Sequence, residues 1–135
     1  MKNRWNLLSK IHSGKFNEIE ATSFIPYDSS WFTGHFPGEP ILPGIALVHT
    51  VQQAIYCKAK EKNEHIKLDA LRRIRFTQPV KPGETLKLNI SREETGNEIL
   101  FSFKITNKKN IVCSGAIIAT KIMNIISPEE EERNA

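Results

Sequence analysis

The stretch WFTGHFPGEPILPGIALVHTVQQ, Trp31 to Gln53, holds the residues best placed to do chemistry. Prolines at 37, 40 and 43 each push the preceding residue out of the helical region. Phe36 to Pro43 is therefore expected to be a stiff extended loop, with Gly38 allowing a bend. Gly44 then opens a helix, so its amide is among the unpaired donors of a helix N-terminus. Those donors, with the helix dipole, can bind a carbonyl oxygen that gains negative charge. His35 stands just ahead of the loop, and His49 lies on the helix with Gln52 and Gln53 following. A free imidazole has a pKa of about 6.5 and can take or give a proton at neutral pH. Together these parts could stabilise an enolate. Taken singly they also read as a core histidine bonded to a backbone carbonyl and a tight connection.

One helix and several strands must position this segment. Glu18 to Ile25 (EIEATSFI) reads as a first strand. Ile45, Val48, Val51, Ile55 and Ala59 recur at spacings of three and four, and Leu47, Ala54 and Cys57 widen the apolar arc. That pattern predicts a mostly buried helix from Gly44 towards Glu64, whose last turns carry Lys58, Lys60, Glu61 and Lys62 into water. Leu71 to Val80 is expected as a strand ended by Pro79, before a type II turn at Lys81-Pro82-Gly83-Glu84. TLKLNIS and EILFSFKIT alternate in period two and are joined by a hairpin turn at Gly96-Asn97. Asn107 to Asn110 makes the next turn, and IVCSGAIIATKI supplies a last apolar strand. The fold class is α+β, with an antiparallel sheet wrapped around one long central helix.

Bulk properties narrow the partners. The 135 residues fit one domain, 1–135, with an N-terminal extension at 1–14 and an acidic tail at 128–135. A hydrophobic fraction of 39% and a charged fraction of 25% are ordinary for a globular protein. No run approaches the ~20 apolar residues of a membrane helix, and the start lacks a secretory h-region. A cytoplasmic protein is the expectation. A net charge of +4 is too weak to argue for nucleic acid, and it suits an acidic protein partner. Cys57 and Cys113 show no CxxC spacing or ligand cluster, so both are expected as small buried hydrophobes. Neither a metal nor a cofactor is expected.

The segment GHFPGEPILPGIALVHTVQQA resembles the signature of the β-hydroxyacyl-acyl carrier protein dehydratases, dense over Gly34 to Ile45. RRIRFTQPVKPGETLKL and VCSGAIIATKI are similar to that family's later strands, so the likeness covers roughly residues 15 to 122. The family's initial Leu-Pro-His-Arg segment is missing. The resemblance implies a hotdog fold acting as a homodimer or a trimer of dimers, with active sites at the dimer interface. It makes His35 the signature histidine and the Gly44 amide the carbonyl-binding donor. The helix carboxylate of the family falls at position 49, where this chain has His49. An acyl tunnel would be lined by Phe36, Ile41, Leu42, Ile45, Val48 and Gln53. Glu39 occupies a variable loop position and does not replace the missing acid.

By that resemblance the chain is expected to act as a dehydratase or hydratase on β-hydroxyacyl thioesters of acyl carrier protein, in fatty-acid or related lipid synthesis. In the family mechanism the histidine moves the α-proton while the carboxyl group serves the β-hydroxyl. A second imidazole can pass that proton, and as imidazolium it can protonate the leaving hydroxyl. It cannot supply the carboxylate's negative charge, and two nearby imidazoles resist double protonation. The alternatives are a non-catalytic thioester-binding relative, or a partner subunit of an active dehydratase. A thioesterase is disfavoured by the intact HFPG loop. Lys58, Lys60, Arg72, Arg73 and Arg75 are candidates for docking the acidic carrier.

Overall fold

The computed structural model describes residues 5–13, 17–33, 38 and 40–122. Its strands are β1 (Lys10–Ser13), β2 (Glu18–Phe24), β3 (Ile66–Phe76), β4 (Thr85–Thr95), β5 (Glu98–Asn107) and β6 (Asn110–Lys121). A short 3-10 helix spans Ser30–Phe32, and α1 spans Gly44–Glu61. All six strands pair antiparallel in the order β1-β2-β4-β5-β6-β3.

Alternation builds the sheet as expected. Leu86, Leu88 and Ile90 of β4 are buried, as are Ile99, Phe101, Phe103 and Ile105 of β5. Thr95 pairs with Glu98 across Gly96, whose φ of 63° lies in the left-handed region that a tight hairpin demands. Gly83 has a φ of 89°, the value a type II turn needs at that position. Onto the apolar face packs α1, burying Ala46, Leu47, Val51, Ala54, Ile55 and Ala59. One sheet curled around one helix is the hotdog arrangement.

Four expectations need correction. A strand, Lys10–Ser13, precedes the expected first strand at Glu18 to Ile25, within the N-terminal extension. Leu7 is 2% exposed, Ser23 Oγ donates to its carbonyl, and β1 pairs with β2 from Lys10↔Thr22 to Ser13↔Ile19. A strand of four residues is too short to show a period. β3 begins at Ile66, five residues ahead of the expected Leu71, and stops at Phe76 ahead of Pro79. The helix ends at Glu61, because Asn63 turns left-handed at φ 52° and Glu64 N–H closes on the Ala59 carbonyl. Cys57 is exposed, since α1 buries a single arc and position 57 lies outside it; Ile45 is likewise 57% exposed. Cys113 is buried as expected, and burial pushes its thiol up to about 11. The acidic tail at 128–135 lies outside the described residues.

β3 explains why its limits were hard to read. It pairs with β6 alone, so it is a sheet edge, and its residues are mostly exposed. Register shifts fall between Leu68/Ala70 and Arg72/Arg75, and Arg73 adopts a φ of 52° inside the second. Gly115 of β6 permits this crossing, because an added Cβ would lie 2.5 Å from Ile74 Cδ1 and 3.1 Å from its Cα. At the far end of the sheet Arg92 bonds both carboxylate oxygens of Glu64 at 2.6 Å, and its side chain is 10% exposed. That bond holds the Glu64 carboxyl below its usual range and ties the α1–β3 turn to β4.

Candidate active site

The entrance to α1 is built as the prolines require. Pro43 is extended at φ −63° and ψ 141° and gives the helix no side-chain cap. Leu42 N–H donates to the Val80 carbonyl at 2.8 Å, tethering the incoming chain to the segment after β3. Gly38 has a φ of 88°, the bend expected there. The Phe76 ring lies against Gly44 so closely that an added Cβ would meet two of its carbons at 2.7 Å. Only glycine brings the backbone this near an aromatic wall. His35 and Phe36, together with Glu39, lie outside the described residues.

His49 is half-buried on α1, and its Nδ1 is buried without a hydrogen-bond partner among the described residues. Gln53 Oε1 is in the same state one turn on. Residues four apart share a helix face, so the two atoms form one unsatisfied polar strip. A buried orphan of this kind costs about 1–3 kcal/mol, which a ligand or a second chain would recover. No backbone carbonyl among the described residues anchors His49 through Nδ1. Thr50, between them in sequence, is satisfied by the Ala46 carbonyl at 2.8 Å.

The sequence reading missed the aromatic side of this site. Trp31 lies 5.7 Å from the His49 ring at 57°, and Trp5 meets Trp31 edge-on at 4.9 Å and 89°. Trp31 sits in the 3-10 helix, capped by Ser29, whose Oγ accepts from Trp31 N–H at 3.2 Å. The Ser-Ser-Trp run ahead of the proline loop was the available signal.

The tunnel set splits. Leu42 and Val48 are buried at 4% and 1% exposure, Ile41 is half-buried, and Ile45 is on the surface. The docking set splits as well. Arg72, Arg73 and Arg75 line an open cleft of about 790 Å³ with Lys104, Ser102 and Asn89, on the side of the sheet away from α1. None of these four cations forms an ion pair among the described residues. Lys58 instead pairs with Glu61 at 3.1 Å, and Lys60 lies on the helix, outside that cleft. No helix among the described residues is long and apolar enough to cross a membrane. Among them no group of three His, Cys, Asp or Glu side chains could hold a metal ion.

Sheet, helix and glycine-opened helix start together define a hotdog protein. Residues 11–116 match the model of the ApeI-like family, described as ApeI dehydratase, and the chain belongs to that family. It is 34% identical over 74 residues to the 3-hydroxyacyl-[acyl-carrier-protein] dehydratase FabZ of Wolbachia sp. subsp. Drosophila simulans, covering 52% of each chain. That match spans about half the relative's length. FabZ of Syntrophobacter fumaroxidans is 26% identical over 135 residues, covering 96% of this chain and 88% of its own. Among solved structures, the dehydratase heterocomplex ApeI:P from Xenorhabdus doucetiae superposes with a TM-score of 0.68 at 22% identity. The superposition covers 89% of this chain and 99% of that one. Thioesterases are also among the solved structures that share the fold, so the fold does not by itself choose the reaction.

Proposed function

We propose that this protein dehydrates β-hydroxyacyl thioesters of acyl carrier protein, with His35 and His49 moving the protons and the Gly44 amide holding the thioester carbonyl. The observation that carries the reading is His49 Nδ1, buried and unpartnered where the resemblance places the acid. His35 removes the α-proton, and the electron pair moves onto the carbonyl oxygen beside the helix start. As the enolate collapses, the Cβ–O bond breaks and His49, as imidazolium, delivers a proton to the departing hydroxyl. Water and an enoyl thioester leave, and the proton held by His35 balances the one given by His49. The carrier would dock along Arg72, Arg73, Arg75 and Lys104, which outnumber the single acid of that cleft, Glu18, and form no ion pair among the described residues. The setting is fatty-acid or related lipid synthesis in the cytoplasm.

The acting unit is a homodimer or a trimer of dimers. An eleven-residue edge strand that leaves one side unpaired, with Leu71 44% and Phe76 53% exposed, invites a second copy. A second reading makes the chain the partner subunit of a different, active dehydratase. Histidine in place of the acid favours it, as does the heterocomplex form of the Xenorhabdus doucetiae neighbour.

Two measurements test this. Light scattering at micromolar concentration is expected to give at least twice the chain mass of 15.4 kDa; a strict monomer overturns the shared site. Purified protein mixed with a β-hydroxyacyl carrier thioester is expected to yield the enoyl product. No product alone, but faster product when added to an active hotdog dehydratase than that dehydratase gives by itself, would hand the case to the second reading.

A further inference from the structure

Trp31 packs against the core and is fixed from several sides besides. Its backbone N–H is held by Ser29, which is 4% exposed and whose carbonyl accepts from Phe32 N–H at 3.2 Å. Its indole Nε1–H donates to the Trp5 carbonyl at 2.7 Å, and the Trp5 ring meets it edge-on. Trp5 in turn belongs to the segment that Leu7 anchors in the core and that Ser9 N–H ties to the Thr22 carbonyl at 2.9 Å. The free side of Trp31 lies against the His49 ring at a separation within the range of attractive aromatic pairs. His49 has two side-chain torsions of its own, and no hydrogen bond to Nδ1 fixes them. The indole is therefore the rigid surface that limits where this imidazole can point.

We propose that Trp31 is a positioning residue for His49, and that the N-terminal segment takes part through Trp5. This rests on His49 serving the reaction, as set out above. A proton-transfer group must sit within hydrogen-bond reach of its target, and a displacement of about 1 Å can cost up to ~100-fold in rate. Holding the ring by packing leaves Nδ1 free for the substrate, whereas a hydrogen bond would occupy it. Trp31 is not assigned contact with the reacting atoms.

The test compares Trp31→Leu, Trp31→Phe and Trp5→Ala in the full chain. Side-chain NMR of the four histidines is expected to show the His49 ring resonances moving in Trp31→Leu and less in Trp31→Phe, with His12 and His65 unmoved. Turnover of the carrier thioester is expected to fall about tenfold in kcat for Trp31→Leu, with KM nearly constant, and to recover in part in Trp31→Phe. On a His49→Ala background, Trp31→Leu is expected to add nothing, because both changes act through one group. A drop carried by KM alone, or an additive loss in the double variant, overturns the positioning role. Unmoved His49 resonances in Trp31→Leu overturn it independently of any activity. If His49→Ala is as active as the parent, the reaction assignment has failed, while the NMR comparison still decides whether Trp31 holds the ring. Should Trp31→Leu not fold, Trp31→Phe and Trp5→Ala, with smaller shifts in the same resonances, decide the matter.

Discussion

Replacing His49 with alanine is expected to slow dehydration by about 100-fold or more, the usual contribution of a positioned proton-transfer group. His35→Ala should be as severe, since in the proposed reaction each histidine handles one of the two protons that move. The same change at His12 or His65 should leave the rate intact. His12 lies in β1 at the sheet edge, and His65 is exposed just ahead of β3 with its carbonyl bonded to Ile122 N–H. His49→Glu is the informative variant. A glutamate there has similar reach and restores the family's residue, so activity should be kept or raised. Steady-state rates on one β-hydroxyacyl carrier thioester read the parent and all five variants. An inert parent that gains activity in His49→Glu would show that imidazole is no working acid at this position, and the non-catalytic thioester-binding reading would prevail. An unaffected His49→Ala would make the position structural.

Medium-chain substrates are expected to outperform short ones by a wide margin. Each buried methylene is worth roughly 0.8 kcal/mol, so adding two should raise kcat/KM by about tenfold until the passage is full. Leu42 and Val48 are already interior, and Ile41 is half covered at the helix entrance. Ile45, at 57% exposure, completes an apolar lining only when an acyl chain or a neighbouring subunit lies over it. A series from four to ten carbons, read as kcat/KM, measures the slope. Equal values across the series would remove the tunnel. Ile45→Ser should flatten the slope without unfolding the chain, because the residue contributes little to the core.

The sequence was legible wherever one face of an element is buried. Strands β4 and β5 alternate because Leu86 to Ile90 and Ile99 to Ile105 pack on α1 while their neighbours meet water. The helix start followed from Pro43 and Gly44, and the turn at Gly83 from proline and glycine at its two central positions. β3 was read late because both of its faces and one edge lie open over much of its length, so no period marks it. Asn63 ended the helix by backbone conformation, which hydrophobic spacing does not record. In the candidate site, His49 and Gly44 stood out through the motif and the helix pattern. Trp31 and Trp5 were not, because their contact joins positions 26 residues apart through a packing that neither position hints at alone.

The two cysteines make the molecule its own probe of opening. Thiolate is the reactive form, and Cys113 combines full burial in β6 with a thiol pushed up to about 11, whereas Cys57 stands exposed on α1. A maleimide therefore marks one sulfur per native chain at once, and the second only as fast as the sheet around β6 comes apart. Blocking Cys57 first leaves a single clock. Its rate, followed by intact mass, reports how often the barrel-like wrap opens, and how far a bound acyl chain or a second copy slows that opening.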